Sequence, residues 1–215
     1  VYPERRDKAP VVLVICEIYG LTDWIRAVAD QLAEDGFIAI APDLVSGKGP
    51  NGGGTESATS RDEVVRWIRG LTTDEVLARL NAVRSYGIGL PAANGKTATV
   101  GFCWGGSQSF LYACRQPDLD AAVVYYGSSP DSSLLARLSK APVLGLYGGD
   151  DARVNATIEP AQNVLRAMKK TYEVEIYEGA GHGFLRAQSG RDGANLRATQ
   201  KAWPRTIEFL KKHTK

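Results

Sequence analysis

The chain has 215 residues, 44% hydrophobic and 23% charged, the balance of an ordinary globule long enough to bury a core without disulfides or metals. Lys plus Arg is 26 and Asp plus Glu is 24, a formal net charge of +2; no block of like charge calls for nucleic acid or an anionic membrane. No apolar run nears the roughly 18 residues of a membrane span, and no leader pattern stands at the start.

In chain order, strand-like and helix-like segments alternate. Residues 11–15 (VVLVI) are a continuous apolar run, as in a strand buried on both faces. Residues 22–36 carry Trp24, Ile25, Val28 and Leu32 at helical spacing and stop at Gly36. Residues 37–42 (FIAIAP) form a second strand. Residues 43–58 are rich in Gly and Ser and read as a loop, longer than the usual connection of about 4–6 residues. Helices are expected near 60–70 and 73–86. Residues 97–102 (TATVGF) are a third strand, and GGSQSFLYACRQ the helix after it. Strands follow at 121–127, 142–148 and 172–179, with helices over 157–170 and 195–213. This alternation implies an α/β fold: a mainly parallel central sheet flanked by helices on both faces, as one domain over 1–215 without internal repeats.

In open parallel sheets the chemistry lies beyond the carboxyl ends of the strands. CEIYG follows the first strand, Cys103 the third, GDDARV the fifth and EGAGHGF the sixth. A carboxylate, a thiol, a pair of Asp residues and a histidine are thus expected on one rim. GFCWGG fits the nucleophile elbow G-x-nucleophile-x-G with cysteine in the serine's place. The turn is sharp and strained, so its neighbours two positions away must be small, and the following helix points its positive end at the thiol.

The three cysteines are Cys16, Cys103 and Cys114, an odd count that is no disulfide framework. A free catalytic thiol needs a reducing compartment, so a cytoplasmic location is expected, with secretion left open. Cys114 reads as packed in the helix after the elbow and Cys16 as core-facing. Of the two histidines, His213 lies in a lysine-rich tail and reads as solvated, which leaves His182 as the base and too few imidazoles for the usual zinc site. No metal and no cofactor are expected. Asp150 and Asp151 cannot easily both aim at one imidazole. The spacing to an apolar Val154 in DARV favours Asp151 as the residue that holds His182 in its tautomer. The bland alternatives are a buried structural cysteine and a loop histidine; neither explains a thiol between glycines with an Asp and a His at two later strand ends.

EIYGL, APDL, GFCWGG, AVVYYG, GGDDARV and GAGHGF, in that order, resemble the dienelactone hydrolase (carboxymethylenebutenolidase) family of the α/β-hydrolase fold over essentially the whole chain. The resemblance implies Cys103 as nucleophile, His182 as base and Asp151 as its partner. It implies backbone N–H groups of Trp104 and Ile18 as the oxyanion hole, and Glu17 in contact with the thiol. It also implies an unsaturated lactone bearing a carboxylate as substrate. Arg186, four residues after His182, fits one of the family's carboxylate-binding arginines, and Tyr19 is carried as a substrate contact. Arg61 is the candidate for the second arginine. Residue 16 is Cys where the family often has His or Gln, and the family's N-terminal strand pair is missing or cut short before Val11.

A carboxylate beside the thiol has a consequence. A helix end is worth roughly 0.3–1 kcal/mol to an anion, whereas a charge about 4 Å away at an effective dielectric of about 20 is worth on the order of 4 kcal/mol. If Glu17 reaches Cys103, both cannot easily ionise, so a neutral resting thiol beside an ionised Glu17 is expected. The function expected is hydrolysis of a lactone or small ester through an acyl-enzyme thioester, the partner being the small-molecule substrate alone, in a monomer or homodimer. Two other readings stand beside it: a broad carboxylesterase that also attacks activated phosphotriesters, and a non-catalytic binding protein of the same fold. A redox pairing of Cys16 with Cys103 is weaker, since they form no C-x-x-C motif.

Overall fold

The computed structural model describes residues 1, 7–138 and 140–215. Six strands are present: β1 (Ala9–Ile15), β2 (Ile38–Ile40), β3 (Ala93–Phe102), β4 (Ala121–Tyr125), β5 (Val143–Gly148) and β6 (Tyr172–Tyr177). The helices are α1 (Asp23–Glu34), α2 (Arg61–Arg69), α3 (Thr73–Ile88), α4 (Trp104–Arg115), α5 (Ser132–Leu135), α6 (Ala152–Asn155), α7 (Ile158–Ala167) and α8 (Ala194–His213). The strand order is β2-β1-β3-β4-β5-β6. The registers are parallel, with Val12 opposite Ala39, Phe102 opposite Tyr125, Tyr125 opposite Leu146 and Gly148 opposite Tyr177. The chain forms two compact units, Val1–Thr97 and Ala98–Lys215.

In the first unit, β1 is apolar throughout because both its faces are covered; Val11 to Ile15 are fully buried. Thr22 caps α1, its hydroxyl accepting from Ile25 N at 3.5 Å. The helix buries Ile25, Val28, Ala29, Leu32 and Ala33, the i, i+3, i+4, i+7, i+8 stripe of an amphipathic helix. The long loop 43–58 is ordered by one carboxylate. Asp43 accepts from Val45 N at 3.2 Å, Thr55 N at 2.6 Å and Thr55 Oγ1 at 2.8 Å, and Thr55 Oγ1 accepts from Leu21 N at 3.0 Å. Two short 3-10 turns stand in this loop, over Pro50–Gly52 and Thr55–Ser57. The expected shortening of the N-terminal strand pair falls largely on residues 2–6, outside the described residues. Val1 and Ala39 exchange two backbone hydrogen bonds, at 2.9 and 3.1 Å.

In the second unit, the rising apolar run that ends in Phe102 is buried from Ala98 onward, and Val123 to Tyr126 are buried beside it. Burying side chains of this size is worth roughly 1.5–3 kcal/mol each, which holds the strand ends rigid. α8 packs Ala198, Ala202, Ile207, Phe209 and Leu210 inward. Arg205 on its outer side is paired with Glu173 and Glu175 of β6. The expectation of a solvated His213 is overturned. Its ring lies 4.7 Å from Phe209 at 61°, and burial, then Lys212, pulls its pKa below the ordinary value. The lysines around it in the sequence hide that residue 213 falls one helical turn after Phe209, on the same helix face.

Candidate active site

The elbow can be built atom by atom. Cys103 ends β3 and caps α4 with φ 55° and ψ −115°, a backbone conformation that L-residues other than Gly rarely take. Its N–H is held by Tyr125 O at 3.0 Å. A Cβ on Gly101 would lie 1.9 Å from Gly105 O, and one on Gly106 2.6 Å from Tyr125 O. These glycines allow the helix start to rest on the strand it leaves. Gly101→Ala is therefore expected to cost on the order of 3 kcal/mol of stability, read as a lowered urea midpoint; a midpoint equal to wild type contradicts this account of the turn.

Three residues of the second unit meet at the strand ends. His182 Nε2 lies 3.0 Å from Cys103 Sγ, and His182 Nδ1 lies 2.5 Å from Asp151 Oδ2. A carboxylate only accepts, so Nδ1 carries the hydrogen and the ring's other nitrogen is turned to the sulfur. Asp151 divides its oxygens: Oδ2 takes the imidazole, and Oδ1 caps α6, accepting from Val154 N at 3.4 Å. The residue is 7% exposed. Asp150 points elsewhere, with Oδ2 at 3.0 Å from Arg191 and nearly half its side chain in solvent.

His182 rides a loop that begins at Gly179 and contains Gly183, with φ 71° and 74°. The loop lies directly on the end of β5: a Cβ at Gly148 would sit 2.6 Å from the carbonyl oxygens of Ala180 and Gly181. Tyr126 was missed by sequence reasoning. Its ring packs edge-on to His182 at 5.2 Å, from a backbone at φ 41° just past β4. The only sequence signal was two aromatics ending a buried strand. A third of the His182 side chain remains open to solvent.

The pKa of His182 is raised from 6.5 to about 9, chiefly by the hydrogen bond to Cys103; desolvation opposes this, and Asp151 adds to it. Its protonation therefore adds stability that is fully present below pH 6.5 and lost as the pH rises through about 9. Burial keeps the other two thiols neutral. Burial pushes Cys16 up to about 12, with Asp43 adding to it, and Cys114 likewise up to about 12.

The remaining expected residues fall in two places. Trp104 is the first residue of α4, where a helix leaves backbone N–H groups without intrahelical partners. Arg186 is exposed on the His182 loop, its N–H bonded to Gly183 O at 3.0 Å. Glu17, Ile18 and Tyr19 belong to the first unit, just past β1. Glu17 is 4% exposed, its carbonyl accepts from Gly20 N at 3.2 Å, and the Arg61 guanidinium stands 4.7 Å over the Tyr19 ring. Among the described residues no cluster of His, Cys, Asp and Glu could hold a metal, and no helix is long and apolar enough to cross a membrane.

Comparison with known proteins bears on this arrangement. The pattern of the dienelactone hydrolase family matches residues 1–214. A provisionally named carboxymethylenebutenolidase of Salmonella typhimurium is 34% identical over 219 residues, covering 97% of this chain and 79% of its own length. The crystal structure of a provisionally named dienelactone hydrolase from Klebsiella pneumoniae superposes with a TM-score of 0.83 at 30% identity, covering 98% of this chain and 90% of that one. A dienelactone hydrolase-like promiscuous phosphotriesterase from metagenomic libraries shares the fold at 23% identity and a TM-score of 0.80, covering 98% and 89%.

Proposed function

The chain belongs to the dienelactone hydrolase family of the α/β-hydrolase fold, and from that premise we propose that it hydrolyses a lactone or small ester through a Cys103–His182–Asp151 triad. The observation that carries the proposal is the continuous contact from sulfur to imidazole to buried carboxylate, 3.0 and 2.5 Å long.

The proton of Cys103 resides on His182 while the sulfur attacks the ester carbonyl. The new C–S bond pushes electrons onto the carbonyl oxygen, which the Trp104 N–H stabilises. The C–O bond breaks as His182 gives its proton to the leaving alkoxide. Water then loses a proton to His182 and adds to the thioester, and cleavage of the C–S bond returns the thiolate. Arg186 is the residue for a substrate carboxylate, since a guanidinium can bind one bidentately.

His182 Nε2, 3.0 Å from Cys103 Sγ, is placed to take the thiol proton as the sulfur attacks. Cys103 is therefore expected to react with iodoacetamide at pH 6 at least about ten times faster than a free thiol. Glu17→Gln is expected to change the pH dependence of that rate. Slow alkylation at pH 6 returns the resting proton to Cys103, and an unchanged profile in Glu17→Gln removes Glu17 from the mechanism. The function itself is tested by a burst of nitrophenolate from p-nitrophenyl acetate, followed by a panel of lactones, carboxylate-bearing esters and phosphotriesters. Absence of any burst or turnover favours a binding protein.

A further inference from the structure

One buried polar side chain of the second unit takes no part in this chemistry. Asn195, the second residue of α8, is 3% exposed. Its Oδ1 accepts from Gly181 N at 2.9 Å and its Nδ2 donates to Ala187 O at 2.7 Å. Both ends of the amide are therefore satisfied by backbone, and the two backbone positions bracket His182.

The chain takes an unusual path to put the amide there. After Gly190 it passes through Arg191, Asp192 and Gly193 at φ 58°, 47° and 80°. Two of these are not glycine, and such a backbone conformation persists only where the surrounding structure imposes it. The turn starts α8 with its first residues against the His182 loop. The same turn makes a second tie: Arg191 reaches Asp150 Oδ2 at 3.0 Å, and Asp150 N donates to Ala180 O at 3.0 Å. Strain, burial and two hydrogen bonds converge on a loop whose imidazole is itself one-third solvent-exposed. An error of about 1 Å in placing such a group can cost a hundredfold in rate.

Resting on the reading of His182 as the base, we propose that Asn195 is its positioning residue: the amide clamps Gly181 and Ala187 so that the ring stays between Asp151 and Cys103. The bond to Gly181 holds the residue immediately before His182. Asn195 acts through the backbone and touches no reacting atom.

The test compares kcat, KM and the pH profile of Cys103 alkylation in wild type, Asn195→Ala and Asn195→Asp. The expected result for Asn195→Ala is a kcat lower by about 10–100-fold with KM within about twofold, together with a displaced alkylation profile. Asn195→Asp keeps the acceptor for Gly181 N–H but loses the donor to Ala187 O, so its kcat is expected to recover only part of the alanine loss. A folded Asn195→Ala protein with wild-type kcat and an unmoved alkylation profile overturns the inference. A purely structural amide would lower the melting temperature without touching that profile. Should the alanine variant not fold, amide exchange in the wild-type protein decides: Gly181 N–H is expected to exchange at least about a thousandfold slower than a free amide, and rapid exchange sinks the clamp. Wild type lacking any Cys103-dependent burst would instead count against the hydrolase reading, and the exchange result would still stand by itself.

Discussion

Cys103→Ala is expected to lower kcat/KM on an activated ester by about ten-thousandfold or more while leaving the protein folded. In a nucleophile–base pair that works as a unit, loss of the nucleophile costs nearly as much as loss of the whole constellation. What survives is binding and the oxyanion donors, which act on water alone. The substitution removes one sulfur from a half-exposed position and keeps the backbone requirements of the turn, since alanine at φ 55° is no worse placed than cysteine. Thermal unfolding should therefore stay close to wild type, separating loss of chemistry from loss of fold. Activity within tenfold of wild type would mean that another group, or water directly, attacks the substrate.

The second large effect divides two adjacent residues. Asp151→Asn is expected to lower kcat/KM by about a hundred- to ten-thousandfold, and Asp150→Asn by less than about threefold. Asp151 accepts the Nδ1–H that turns Nε2 to the sulfur and balances the imidazolium. An asparagine there can present its NH2 to Nδ1 and stabilise the wrong tautomer. Asp150 sits in solvent with Arg191, where an exposed ion pair is worth about 0–1 kcal/mol. Equal losses in both variants, or the larger loss at Asp150, would contradict the division of roles. The Arg191 tie makes a small effect at Asp150 reasonable, because it reaches the His182 loop only at its outer end.

The sequence carried much of this because strand ends are periodic features. VVLVI, TATVGF and AAVVYYG alternate with amphipathic helices, and their last residues point to the rim by topology alone. The glycines at 101 and 105 were legible from the elbow spacing, and a Cβ at 101 or 106 would strike backbone. Other features had no periodicity to reveal them. α5 and α6 are four residues each, one turn, too short for a repeating pattern. β3 begins at Ala93 rather than 97, and Gly95 at φ 85° lies within it; Asn and Gly carry little strand propensity, so that stretch gave no signal. Residues 43–58 read as a loop from their glycines, and that composition gave no sign of the three bonds to Asp43 that order it. Asn195 was invisible: an asparagine near a helix start is ordinarily a cap, and its partners lie 14 and 8 residues earlier in the loop. Interactions of this kind belong to tertiary packing and leave no local signature.

The central claim is that Cys103 becomes acylated during turnover. The most direct measurement mixes the enzyme with p-nitrophenyl acetate, quenches in acid during the burst, and maps acetyl groups by peptide mass spectrometry. The account predicts a single acetyl on Cys103, released by neutral hydroxylamine as a thioester should be and absent from Cys103→Ala. Turnover with no acetylated Cys103, or with the acetyl on any other residue, would contradict it.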